Sequence, residues 1–291
     1  MLYLTYTLNF VLMIVLPITL GVFLARRFKL GWGLWGIGAV TFIASQVVHI
    51  PLNLGLTALF VNNILPSPPE AWRPFFNPVV LGLTAGLCEE IARYLVYRFW
   101  IKDARTWREA LMFGAGHGGI EAILLGGLAA WITIQLFALR AVDLSTLGLS
   151  AEQLVAAQQQ LETAWSAPWY ATLLGALERA FTLCFHLSAA VLVLQALTRK
   201  NLLWLGAAIV WHWLVDAVAV YAVGTVGIYW TEAIIGGFAM VSLGLILWLR
   251  PAKEEPAAPV ITLPSTATAS APPVESESDL QRKMDETRYT G

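Results

Sequence analysis

Apolar residues run along the chain in long blocks separated by short polar stretches. The blocks cover roughly residues 3–25, 32–60, 78–100, 110–139, 168–198, 202–223 and 226–249. Each is about 20 residues or longer, enough to cross a ~30 Å hydrocarbon core as an α-helix. Within the blocks the apolar residues are continuous rather than alternating, which argues against the two-residue period of a membrane β-barrel. The pattern predicts an all-α, polytopic membrane protein with about seven transmembrane helices. Between the fourth and fifth blocks, residues 140–167 read RAVDLSTLGLSAEQLVAAQQQLETAWSA, and Ala151–Trp165 is expected as an amphipathic helix on the outer face. No internal repeat is evident.

Composition agrees with this picture. The 291 residues are 58% hydrophobic and 13% charged, against about 25% charged in soluble domains. Basic residues set the expected orientation. Arg26, Arg27, Lys29, Arg98, Lys102, Arg105, Arg108, Arg199, Lys200, Arg250 and Lys253 fall at one set of block ends, and only Arg73 and Arg140 at the other. This bias places the N-terminus outside and the C-terminus in the cytoplasm. The first block lacks a basic leader and a small-residue cleavage site, so it reads as a retained helix. The expected organisation is a transmembrane bundle over 1–250, with a motif-bearing core at about 78–223. A Pro/Ala/Ser/Thr-rich cytoplasmic tail over 251–291 is too poor in aromatic residues to order itself. Cys88 and Cys184 lie inside blocks with no motif partner and read as packing residues. The expected location is the plasma membrane of a bacterium.

Ionisable side chains interrupt the middle four polar-bearing blocks, although each costs about 2.5–3.5 kcal/mol at mid-bilayer. The third carries Glu89, Glu90 and Arg93; the fourth His117 and Glu121; the fifth Glu178, Arg179 and His186; the sixth His212 and Asp216. Counted from the basic ends at 1.5 Å per residue, the glutamate pair and the three histidines lie at a similar depth. Glu89 and Arg93, His117 and Glu121, and His212 and Asp216 are spaced i,i+4, so each pair shares a helix face. A single polar site is therefore expected. Arg93 reads as a supporting cation for Glu89 and Glu90. His49, near Pro51, reads as a helix-end residue, and Glu232 as a water-accessible residue near the outer end of the last block.

Adjacent carboxylates and imidazoles in a dry site can take a proton from water, return it later, and donate hydrogen bonds to an oxyanion. That is the toolkit of amide hydrolysis. His and carboxylate ligands also suit zinc, and His117, His186, His212 and Asp216 are the candidate ligands, although HExxH is absent. A proton-coupled transporter uses similar residues. Against it stand the clustering at one depth and Pro51 as the only proline expected inside a span.

Glu89-Glu90-Ile91-Ala92-Arg93 (EExxR), Phe113 to His117 (FxxxH) and His212 to Asp216 (HxxxD) occur in this order on successive polar blocks. This set resembles the CAAX-protease superfamily of glutamate intramembrane peptidases. With GHGGIEA in the fourth block and ERAFTLCFH in the fifth, it most resembles the bacterial YhfC branch, often called intramembrane metalloproteases. The resemblance covers about 78–220. It implies that Glu89 and His117 activate water, that Glu90 and Arg93 organise Glu89, and that His212 and Asp216 stabilise an oxyanion. Asp stands where CAAX proteases have Asn. Glu121, Glu178, Arg179 and His186 are expected to support the site. No cofactor is expected on this mechanism, with Zn2+ as the alternative. The implied partners are the lipid bilayer and a membrane-anchored peptide or protein substrate, not nucleic acid.

Overall fold

The computed structural model describes residues 1–252, which form eight α-helices with no strand among them: α1 (Leu2–Phe28), α2 (Gly33–Val61), α3 (Arg73–Leu95), α4 (Trp107–Arg140), α5 (Ala151–Ser166), α6 (Leu174–Thr198), α7 (Leu203–Thr225) and α8 (Ile228–Trp248). The expected tail lies outside the described residues from residue 253 onward. All seven apolar blocks appear as long helices. Six of these helices are long and apolar enough to cross a membrane. The exception is α3, whose hydropathy is lowered by Glu89, Glu90 and Arg93; it continues past Leu95 as a π-helical turn, Val96–Trp100. Pro51 is not the only proline inside a helix, since Pro17 and Pro78 lie within α1 and α3. The transporter argument from proline therefore loses its force.

Helix α6 is the hub. Residues 185–196 are buried without interruption, as expected of a helix covered on all sides. It packs against α4, α7 and α8, while α3 runs along α7 and α1 and α2 flank α4. The helices exposing Val15, Phe23, Val47, Leu128, Met240 and Leu247 present apolar side chains outward, the surface that lipid covers. Helix α4 starts at a capping box, in which the Thr106 hydroxyl accepts from Glu109 N–H and the Glu109 carboxylate accepts from Thr106 N–H. The amphipathic segment is present as α5, opened by a second box from Ser150 and Gln153. Trp165 near its end packs on Tyr3 and Tyr6 of α1 and Phe137 of α4.

Two features of packing position the site. Close to the basic ends, Tyr97, Met112, Phe113, Val191, Leu194, Ala208 and Ile246 form a dense apolar floor. Above it, glycines let the helices approach at backbone distance. A Cβ at Gly86 of α3 would stand 2.9 Å from the Ile209 carbonyl of α7, and one at Gly114 of α4 would stand 2.8 Å from the His186 carbonyl of α6. The imidazoles are carried on these close-packed stretches.

Candidate active site

Each ionisable residue singled out on α3, α4, α6 and α7 joins one connected cluster. On α3, the i,i+3 and i,i+4 spacings turn Arg93 back onto Glu90 and Glu89. Arg93 pairs with Glu90, and its Nη2 lies 3.5 Å from Glu89 Oε2. From α4, His117 Nε2 stands 3.0 Å from the same Glu89 oxygen. The carboxylate only accepts, so this nitrogen carries the proton. His117 Nδ1 is buried and has no hydrogen-bond partner. The ring is set edge-on against Phe42.

From α7, His212 Nδ1 lies 2.6 Å from Glu90 Oε1, and its Nε2 lies 3.3 Å from Asp216 Oδ2 and 4.0 Å from Glu89 Oε2. Asp216 thus stands as an acceptor beside His212 Nε2. From α6, His186 Nδ1 accepts from Arg93 Nη2 at 2.7 Å, and its Nε2 donates to Glu121 Oε2 at 2.6 Å. Glu121 also accepts from Arg179 at 2.5 Å, and Arg179 pairs with Glu178. His186 is therefore the hinge between the motif residues and the Glu121/Arg179/Glu178 group.

Sequence reasoning misplaced two residues. His49 is no helix-end residue: its Nδ1 contacts Gln46 Oε1 at 3.1 Å, and Gln46 Nε2 donates to Glu89 Oε1 at 3.0 Å. Gln46, Asn53 and Thr84 were missed with it, although polar residues at 46, 49 and 53 in an apolar block share one helical face, a legible signal. Glu232 is buried rather than water-accessible, with Oε2 lacking a hydrogen-bond partner. A cavity of about 610 Å³ lies over the cluster. Its polar wall includes Glu89, His186, His212 and Asp216, and its apolar wall includes Leu81 and Val220.

The family model described as YhfC intramembrane metalloprotease matches residues 12–236, which include every residue of the cluster. The chain belongs to the YhfC intramembrane metalloprotease family. It is also 33% identical over 210 residues to "Uncharacterized membrane protein YhfC" of Bacillus subtilis (strain 168), covering 70% of this chain and 79% of that protein. No solved structure matches the chain. The family description supports a membrane protease and makes a metal the expectation. The expectation of no cofactor finds no support in it.

The residues present can be tested against that metal. Glu89, His117 and His186 each offer one ligand atom, all within 4.8 Å of one another and all on buried residues. Two imidazoles and one carboxylate are a known donor set of catalytic zinc, which leaves a fourth position for water. The set differs from the one expected: Glu89 enters it, and His212 and Asp216 lie outside it. The charge balance also favours a cation. Among the described residues, Glu89, Glu90, Glu121, Glu178 and Asp216 pair with two guanidiniums, those of Arg93 and Arg179, and otherwise with imidazoles. The donor set fits zinc, with one competitor: the Arg93 guanidinium already occupies the lone pair of His186 Nδ1.

Proposed function

We propose that the chain is an intramembrane endopeptidase that hydrolyses a peptide bond of a membrane-anchored peptide or protein, with Glu89 and His117 at the reacting centre and Glu89, His117 and His186 as the residues that would hold zinc. The observation that carries this reading is the convergence of one carboxylate and two imidazoles from three helices at the buried end of a membrane-embedded cavity. A bound zinc would supply Lewis-acid polarisation and a water that ionises near neutral pH.

The chain's own residues supply the rest. Glu89, hydrogen-bonded by Gln46 on Oε1 and by His117 on Oε2, would hold the metal where zinc is bound, and without metal would itself take a proton from the attacking water and return it to the leaving amine. His212 is held on Nδ1 by Glu90, and its Nε2–H, 3.3 Å from Asp216 Oδ2, would turn from that carboxylate to donate to the oxyanion of the tetrahedral intermediate. Arg93 anchors Glu90 and His186. The apolar floor of Tyr97, Phe113 and Val191 closes one end against water. Placement among the CAAX proteases is supported by the order of EExxR, FxxxH and HxxxD.

A second reading rests on Arg93. Its guanidinium stands beside two of the three donor groups, an arrangement that favours water activated by Glu89 and His117 alone. Purified protein, metal analysis and a fluorogenic membrane-peptide library separate the two. On the zinc reading, metal co-purifies at about one ion per chain, chelation abolishes cleavage and zinc restores it. Cleavage that survives complete metal removal yet is lost in Glu89→Gln and His117→Ala would select the second reading. Cleavage retained in Glu89→Gln would overturn both.

A further inference from the structure

Helix α2 carries no residue of the family motifs, yet it reaches the reacting carboxylate. Gln46, His49 and Asn53 are spaced three and four residues apart and share the face turned to α3. Gln46 Nε2 is 3.0 Å from Glu89 Oε1, His49 Nδ1 is 3.1 Å from Gln46 Oε1, and Asn53 Nδ2 is 2.8 Å from His49 Nε2. Thr84 of α3 closes the chain, with its hydroxyl 2.9 Å from Asn53 Oδ1 and also near the Val80 and Leu81 carbonyls. It lies 3.3 Å from His49 Nε2 as well.

The direction of every link is set by its neighbour. Glu89 as a carboxylate only accepts, so Gln46 must turn its amide NH2 to it. The Gln46 carbonyl then faces His49 Nδ1, which must carry the ring proton. His49 Nε2 is left bare and accepts from the Asn53 amide. Asn53 Oδ1 is then free to accept from Thr84. All the links point toward Glu89, and they hold whether or not that carboxylate also binds a metal.

The chain ends on the glutamate oxygen opposite the one that faces His117. The terminal torsion of a glutamate is broad and poorly restrained by its own rotamers. Hydrogen bonds to both oxygens fix the carboxylate plane and leave Oε2 aimed at His117 and the attacking water. Simple helix–helix adhesion would be served equally by polar pairs ending on one another. The termination on Glu89 is what adhesion does not require.

We infer that Gln46, His49 and Asn53 form a directed hydrogen-bond chain that positions Glu89 for catalysis, with His49 fixed as its Nδ1–H tautomer. This rests on Glu89 being the reacting carboxylate. The three are positioning residues, and His49 does no proton chemistry of its own.

The test combines kinetics and nitrogen NMR on the full-length protein in detergent. With ¹⁵N-histidine labelling, the four imidazoles are resolved, and His49 is identified as the signal lost in His49→Gln. Wild type is expected to show His49 protonated on Nδ1 and bare on Nε2. Cleavage by His49→Leu should fall about 10–100-fold in kcat with KM little changed, the usual cost of losing a residue that orients a reacting group. His49→Gln should recover most of that loss, because its amide can donate to Gln46 and accept from Asn53. Gln46→Glu, the same shape without the donor, should behave like His49→Leu.

An Nε2–H tautomer in wild type, or His49→Leu with wild-type kcat, overturns the inference. So does His49→Gln as inactive as His49→Leu, which would make the imidazole itself a proton carrier. Glu89→Gln run in parallel keeps the two claims apart: activity in that variant overturns the catalytic reading, and the tautomer then decides the chain alone. If no peptide in the library is cut by any form, the wild-type tautomer again decides: Nδ1–H is expected, and Nε2–H counts against the chain.

Discussion

Arg93 is fully buried and pairs with Glu90, also fully buried, while reaching Glu89 and His186 with the same guanidinium. A lysine offers one point charge where this position uses a planar fork, so Arg93→Lys is not conservative here. Removing the cation leaves Glu90 with His212 as its remaining partner in a dry site. Breaking a buried pair from one side costs about 3–5 kcal/mol, because the other charge stays behind uncompensated. Arg93→Met should therefore lower the midpoint of thermal unfolding in detergent strongly. Replacing both charges, as Glu90→Gln with Arg93→Met, should destabilise less than Arg93→Met alone. A double variant at least as unstable as the single one would show that Arg93 is held by packing rather than by its carboxylates. The same accounting explains why Glu89 and Glu90 stand side by side: Arg93 lies against both, Glu90 takes its main ion pair, and Glu89 keeps one oxygen toward His117.

Among the elements, α4 carries the tightest constraints, and it separates what was legible in the sequence from what was not. The existence of the seven long helices followed from uninterrupted apolar blocks, and one polar layer followed from helical phase and depth. EExxR, FxxxH and HxxxD located Glu89, His117, His212 and Asp216 because those spacings place side chains on one face. Which groups would touch was not legible, since it depends on helix rotation set by packing. His186 lies against Arg93 because α6 is drawn onto α4 at Gly114 and Gly118, and Glu89 is held from α2 because α2 is drawn onto α4 at Gly38 and Gly116. A Cβ at Gly116 would collide with the Trp35 backbone carbonyl, whereas one at Gly127 of the same helix meets nothing within 4 Å. Gly116→Ala should push α2 away, displace the neighbouring His117, and reduce both cleavage and thermal stability. Gly127→Ala should be tolerated or stabilising by up to about 1 kcal/mol, the helix propensity difference. Equal stability of the two variants would show that α2 and α4 do not meet as closely as described.

The molecule as a whole has two unlike ends. Arg105 and Arg108 before and within α4, Arg199 after α6 and Arg250 after α8 line one cavity of about 370 Å³, so the basic termini of separate helices do gather at one face. By the positive-inside rule that face is expected in the cytoplasm. The packed floor of Tyr97, Phe113, Val191, Ala208 and Ile246 lies between it and the acid–imidazole layer. The site cavity extends the other way, along Ile50, Leu81, Leu124, Glu178 and Val220, all of which lie toward the opposite ends of their helices from the basic face. Substrate and water should then reach Glu89 from the extracytoplasmic half of the bilayer. In a Cys88→Ser/Cys184→Ser background, a cysteine at Asp103 in the basic loop should react with a membrane-impermeant maleimide only in inverted vesicles. Cysteines at Glu152 of α5 and at Glu178 on the cavity wall should react in intact cells, and modification at Glu178 should block cleavage. Labelling of Asp103→Cys in intact cells would reverse the orientation. Labelling of Glu178→Cys only in inverted vesicles, with Glu152→Cys still labelled from outside, would keep the orientation and move the entrance to the cytoplasmic side.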